Sequence, residues 1–413
     1  MLGRKLKGII KLVVVLMLLA LISKPLWTNS YWPEGYYKNN YNNWNKQKQK
    51  ETESGDGEKN KETAEKETTA SEEETTEQTN QEKSVFSLDY YNQLSNKQKS
   101  AYNQIKTGCE KYQKRVKIDA LDEKDYEVAL YALKCDYPEF YWLNYAGKYM
   151  QKNNKVYEHI FSFDDNPEST SKKIRKEADK IVEKANKKDN TYDKLKCLHD
   201  ELIKLVKYKK SKRDQEIRST FLDKETVCNG YAEAFVYLCK QCNINCAYAR
   251  GTSLNESHAW NIVEIDGKYC WIDTTWDDSE SVKDSREQLN YVYFCVSDER
   301  FSKTHKLDCG TDINRNKSNF KFTYPKCDSE QFNYYKREGG YFTSYSRKTV
   351  GKYIKKKAKN SNTIELMFKT KSDYEKARED LCINSVLADM IGSAAKSYKY
   401  IDDNNNYYLM LML

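Results

Sequence analysis

The sequence predicts an α+β fold in which a helix that begins with a cysteine packs on an antiparallel sheet carrying a histidine and an aspartate. A helical N-terminal region and a small α+β C-terminal domain flank this core. Three observations predict it. Downstream of Cys228 the apolar positions Tyr231, Ala234, Phe235, Leu238 and Cys242 recur at three- and four-residue steps, the stripe of an amphipathic helix. Residues 257–265 and 268–273 read as two strands joined by Asp266-Gly267, the dipeptide favoured in two-residue type I′ hairpin turns. With 413 residues, 38% of them hydrophobic, and 34 tyrosines, the chain has enough material for two or three domains with a real core.

Residues 1–32 hold a basic stretch at 3–11 followed by an unbroken apolar run at 12–22, and are expected to be a signal-anchor or transmembrane segment. Leu21 is too large for a small-x-small cleavage site ending at Ser23, and the positive flank places the N-terminus inside and the bulk of the chain outside. The expected location is therefore the cell membrane, as a single-pass protein with an extracellular C-terminal bulk; a secreted protein with a cleaved signal is the alternative. Residues 33–84, Asn/Tyr/Trp-rich and then Glu/Thr/Lys-rich, lack periodic apolar positions and read as a disordered polar tether.

Residues 85–165 read as the N-terminal helical region. Ser95 to Gln98 looks like a capping box ahead of a face made by Tyr102, Ile105, Cys109 and Tyr112; a second helix is expected over 122–135, and a strand over 155–163. In the core, residues 166–330, two amphipathic helices at 171–187 and 191–208 lead into the Cys228 helix, and residues 291–296 read as a further strand. Residues 331–413 form the accessory α+β domain, with helices at 342–359 and 372–395, a strand at 363–369, and a hairpin at 399–413 that turns at 402–406.

The chemistry-bearing candidates are Cys228, His258 and Asp273. A helix N-terminus favours a thiolate over a thiol, a thiolate nucleophile needs a base, and the base needs an orienting group. If Asp266 and Gly267 form the whole loop, Ile265 faces Lys268, Trp260 faces Asp273 and His258 faces Thr275. His258 and Asp273 are then diagonal neighbours on one face; a three-residue loop would put them on opposite faces. His199 and His159 read as structural, and His305, in a polar stretch, receives no catalytic role.

The segments Val227-Cys228-Asn229-Gly230-Tyr231-Ala232, His258-Ala259-Trp260-Asn261 and Ile272-Asp273-Thr274-Thr275-Trp276-Asp277-Asp278 resemble the transglutaminase-like, papain-like superfamily of cysteine enzymes. Cys197-Leu198-His199-Asp200 with Tyr208, and Tyr293-Phe294-Cys295-Val296, extend the match. The flanking segments are more weakly similar to bacterial, surface-associated members. The resemblance implies Cys228 as nucleophile, His258 as general base and Asp273 as its orienter, in an enzyme that acts on peptide or protein amides through a thioester. Hydrolysis, as by a peptidase or amidase, is preferred over cross-linking, with cell-wall peptide one candidate substrate. A catalytically inactive surface module that binds protein or wall polymer is the alternative.

The net charge of +8 divides into +5 over residues 1–32, −5 over residues 33–83 and +8 over the remainder. No basic stripe with stacking aromatics accompanies it, so no nucleic-acid partner is expected. No cofactor and no metal are expected either: Cys239, Cys242 and Cys246 lack a second half with ligand spacing, and two of them lie on the Cys228 helix itself.

Overall fold

The structure, a computed structural model, describes residues 88–143, 148–278, 289–308, 320–384, 386–391 and 398–413. All belong to one compact unit, Thr68–Leu413. The signal-anchor at 1–32 and the whole tether at 33–84 lie outside the described residues. Among the described residues no helix is long and apolar enough to cross a membrane.

Ser95 and Gln98 form a reciprocal capping box that starts helix α1 (Asn96–Glu110), which buries Ala101, Tyr102, Ile105 and Cys109. Strand β1 (Arg115–Asp122), helix α2 (Glu123–Asp136) and strands β2 (Lys148–Lys152) and β3 (Lys155–Ile160) follow, and the three strands form an antiparallel sheet in the order β1-β3-β2. The N-terminal region expected to be helical thus also holds a three-stranded sheet, of which only the strand at 155–163 was expected. Strand β1 hides from a period-two search because its register shifts between Lys117 and Leu121, leaving its two buried residues, Ile118 and Leu121, at helical rather than strand spacing.

In the core, Asn166 caps helix α3 (Pro167–Ala185) and Asn190 caps helix α4 (Thr191–Leu205), whose Leu195, Leu198 and Leu202 are buried. Helix α4 ends three residues before the expected boundary because Lys207–Tyr208 (β4) pairs in parallel with Glu225–Thr226 (β5), the strand that feeds helix α5 (Cys228–Gln241). A five-stranded sheet contains β6 (Cys246–Ser253), β7 (Glu256–Ile265), β8 (Lys268–Ile272), β9 (Phe294–Val296) and β10 (His305–Leu307), in the order β10-β6-β7-β8-β9. Helix α5 packs on it through buried Tyr231, Ala234, Phe235 and Leu238, and is pinned where Asn261 Nδ2 of β7 donates to the Ala232 carbonyl at 3.0 Å.

Asp266 and Gly267 take φ of 51° and 72°, as a type I′ turn requires, and Ile265 pairs with Lys268. That register continues to Asn261 opposite Ile272. There it stops: Asp273 leaves the sheet to cap the one-turn helix α6 (Thr274–Asp277), so the expected pairing of His258 with Thr275 does not form, and His258 instead sits opposite Gly251 of β6.

The C-terminal region contains α8 (Tyr334–Glu338), β11 (Tyr341–Phe342), α9 (Arg347–Lys357), β12 (Thr363–Phe368), α10 (Lys371–Arg378), α11 (Val386–Ile391), β13 (Lys399–Asp403) and β14 (Tyr408–Met412). The one-turn helix α7 (Asp298–Phe301) precedes it in the core. The expected helix from 342 starts five residues later, because Tyr341 and Phe342 pair with β12; the expected helix over 372–395 is interrupted by a wider turn at Glu379–Ile383, and its last residues lie outside the described ones. In the sheet β11-β12-β14-β13 both faces are buried. Ile364, Leu366, Phe368, Leu409 and Leu411 face a local core under α9 and α10, whereas Met367, Tyr408 and Met410 join the main core.

Candidate active site

Helix α5 begins at Cys228 because Val227 is extended and Tyr231 N–H donates to the Val227 carbonyl, which leaves the thiol on the first turn beside unpaired backbone donors. The elbow before it is tight. A Cβ at Gly230 would come 2.0 Å from Thr226 Oγ1 and 3.1 Å from Ser219 Oγ, so only glycine allows β5 and the first turn of α5 to fold this close together. Asn229 is locked alongside: its Oδ1 accepts from the Tyr248 hydroxyl at 2.6 Å and its Nδ2 donates to Glu233 Oε1 at 3.0 Å.

The structure brings Cys228, His258 and Asp273 together. All three are buried, at 6%, 4% and 0% exposure. His258 Nε2 lies 2.6 Å from Asp273 Oδ2, and Cys228 is close enough to the same ring to favour its charged form. With Nε2 committed to the carboxylate, Nδ1 is the nitrogen that addresses sulfur. Asp273 earns its position twice, since its Oδ1 also accepts the backbone N–H groups of Thr275 and Trp276 at 3.0 and 3.1 Å as the cap of α6.

A fourth group shares the site. His305 of edge strand β10 places Nε2 3.0 Å from Asp273 Oδ2, the same oxygen that His258 uses. Nothing in the local sequence signals this, because β10 is three residues long and reaches the site only by pairing with β6. Trp260 and Trp276 flank both rings, with centroids 5.8 and 6.1 Å from His258 and 5.2 and 5.3 Å from His305.

One carboxylate holds its two imidazoles in opposite states. Burial works against charge on His258, but the charge and hydrogen bond of Asp273, aided by Cys228, overcome it and push the imidazole up to about 10. Burial dominates at His305, which falls to about 4, with Asp273 only partly opposing. Burial also disfavours ionised Asp273, yet the His258 charge and the hydrogen bonds of both rings hold its carboxyl well below the usual carboxylate range.

His258, Asp273 and His305 are also a set of residues with metal-ligand chemistry. Their N···O separations of 2.6 and 3.0 Å are hydrogen-bond lengths to a single oxygen. The arrangement as it stands is a shared hydrogen bond. Cys239 is buried on α5, Cys242 is buried at its C-cap and Cys246 is half-buried at the start of β6, with Cys239 and Cys246 side by side; all three belong to the packing of helix on sheet. His199 is a structural clamp, fully buried between Asp200 at 3.0 Å and Asp277 at 3.1 Å, and Asp277 in turn accepts from Tyr293 N at 2.9 Å.

Residues 178–275 match the family model of the transglutaminase-like superfamily. Among solved structures, the chain is similar to a TGase at 15% identity, covering 34% of this chain and 46% of that one with a TM-score of 0.25. It is also similar to a candidate cysteine protease from Cytophaga hutchinsonii, at 18% identity over 29% of this chain and 51% of that one, TM-score 0.21. A third similarity is to the periplasmic domain of TgpA from Pseudomonas aeruginosa bound to ethylmercury, at 12% identity over 32% and 59% of the two chains, TM-score 0.22. The chain spans about half the length of these structures. No curated protein matches it. The segment that carries Cys228, His258 and Asp273 on its helix and sheet, residues 178–275, is a transglutaminase-like domain.

Proposed function

We propose that this chain is a membrane-anchored, extracellular cysteine enzyme that cleaves peptide or protein amide bonds, with Cys228 as nucleophile, His258 as proton carrier and Asp273 as its orienter. The observation that carries the proposal is the single ring of His258, held at Nε2 by Asp273 at 2.6 Å and raised in pKa by a neighbouring cysteine at a helix N-terminus. A buried imidazole that favours its charged form supports a thiolate–imidazolium pair.

In this mechanism the thiolate attacks the amide carbon. The developing oxyanion accepts from the unpaired backbone N–H at the start of α5, with Cys228 N–H as the first donor. As the C–N bond breaks, the imidazolium proton goes to the departing amine, leaving a thioester and a neutral His258. The neutral ring then takes a proton from water as the water adds to the thioester, and keeps it as the C–S bond breaks, so that release of the acid leaves the thiolate–imidazolium pair restored. An amine in place of water would give cross-linking. Hydrolysis is the proposed outcome outside a cell, where water is the abundant acceptor. The proposed anchor is residues 1–32, with cell-wall peptide a candidate substrate.

The test is alkylation of Cys228 by iodoacetamide, followed by the mass of the Cys228 peptide. The native thiol should react at neutral pH far faster than in the unfolded chain, and His258→Ala should slow it and lower any amide hydrolysis by about 10²-fold or more. Equal rates in folded and unfolded chain, indifferent to His258→Ala, would replace this proposal with a surface module that only binds.

A further inference from the structure

Asp273 accepts four hydrogen bonds: two from backbone N–H groups at Oδ1 and one from each imidazole at Oδ2. The second imidazole is unusual in what holds it. His305 is 5% exposed, its ring stacks on Phe301 with centroids 4.0 Å apart and planes inclined by 18°, and the edges of Trp260, Trp276 and Tyr293 close round it at 5.2–5.3 Å. His305 Nδ1 lies 2.8 Å from Thr304 Oγ1, itself 3.3 Å from the Tyr293 hydroxyl. That hydroxyl accepts from Asn406 Nδ2 at 2.8 Å, and Asn406 is fully buried in the turn between β13 and β14. A continuous polar chain therefore runs from the C-terminal sheet to the catalytic carboxylate.

In this enclosure the neutral imidazole is the stable form. A neutral ring that donates from Nε2 to a carboxylate keeps a lone pair at Nδ1, the nitrogen 2.8 Å from Thr304 Oγ1. His305 supplies Asp273 with a donor but no positive charge.

We propose that His305 is a positioning residue that acts through Asp273: by taking one of the two donor places at Oδ2 it divides the carboxylate's attraction between two imidazoles, so that His258 gives up its proton more readily than it would to an unshared aspartate. This rests on the Cys228–His258–Asp273 mechanism proposed above. There His258 has to act as an acid in the first half of the reaction and as a base in the second, and an imidazole paired with an unshared buried carboxylate holds its proton too tightly for the second role. Oδ1 keeps Asp273 in place through α6 with or without His305, so the electrostatic effect is separable from a loss of orientation. The titratable groups facing the pair are Asp273 on the β8–α6 junction, Cys228 on α5, His305 on β10, Tyr208 on β4, Tyr293 before β9 and Asp277 on α6.

The experiment is the pH profile of Cys228 alkylation by iodoacetamide in the full chain, between about pH 5 and 11, read on the Cys228 peptide. The upper step of the profile marks loss of the His258 proton. His305→Phe keeps the stacking surface and removes the donor, and should raise that step by about one pH unit, a roughly tenfold gain in proton affinity. His305→Gln restores an N–H near the Nε2 position and should return the step to the wild-type value. Thr304→Val, which keeps shape and removes the hydroxyl 2.8 Å from His305 Nδ1 and so loosens the hold on the ring, should move it in the same direction by less and carries the test if His305→Phe does not fold. An unmoved or lowered upper step in a folded His305→Phe or Thr304→Val protein overturns the inference while leaving the mechanism intact. A wild-type profile indifferent to His258→Ala overturns the mechanism, and the inference with it.

Discussion

Cys228–Asp277 and Asn333–Leu413 are both mixed helix and sheet, yet they are assembled in different ways. In the first, each site residue is placed by its immediate neighbours: Cys228 by the start of its own helix, His258 by a two-residue hairpin, Asp273 by the helix it caps. In the second, β11 joins β12 in parallel, β14 inserts between β12 and β13, and the sheet serves two cores at once. The first region holds the candidate site, and the second reaches it from a distance, through Asn406 and Tyr293. A constellation built from local rules is robust as a pattern, whereas one that depends on remote contacts exists only when the whole unit is folded.

The comparison can be broken most forcefully in the second region. Leu411 is fully buried in the local core, and Leu411→Ala should cost about 2–5 kcal/mol, measured by denaturant unfolding. If the two regions share one folding unit, Cys228 labelling and the C-terminal sheet will be lost in a single transition; separate transitions would show that the C-terminal sheet is an independent accessory. In the first region Gly230→Ala drives a methyl against Thr226 Oγ1, and should cost about 1–3 kcal/mol and slow Cys228 labelling in the folded protein. A variant with wild-type stability and labelling would show that the elbow can yield.

Gly267→Ala is a milder local test. Its φ of 72° penalises a side chain, but a Cβ there meets nothing, so only the backbone term of about 1 kcal/mol should appear and the register should survive, visible as unchanged labelling.

The finest test uses the two imidazoles. His258 is charged more easily folded than unfolded, so its contribution to stability is full below about pH 6.5 and is lost as pH rises toward about 10. His305 is charged less easily when folded, so it costs stability as pH falls from about 6.5 toward about 4. Thermal melts of His305→Phe should therefore flatten the acid side of the wild-type curve, and His258→Ala the alkaline side. Flattening on the same side by both variants would contradict the opposite states assigned to the two rings.

Much of this was legible in order along the chain. The stripe Tyr231, Ala234, Phe235, Leu238 establishes α5 and hence the helical start that makes Cys228 more than a core thiol, because helical burial depends only on residues three and four apart. Asp266-Gly267 establishes the register of β7 on β8 because both residues accept positive φ. What tertiary structure alone decided is His305 at Asp273, Asn406 at Tyr293, and β1 in its sheet. His305 meets Asp273 across 32 residues and Asn406 meets Tyr293 across 113, and no local period encodes such contacts. They arise when β10 pairs with β6 and when the β13–β14 turn is buried; burial disfavours charge on His305, and the strand pairing gives Asp273 a second partner.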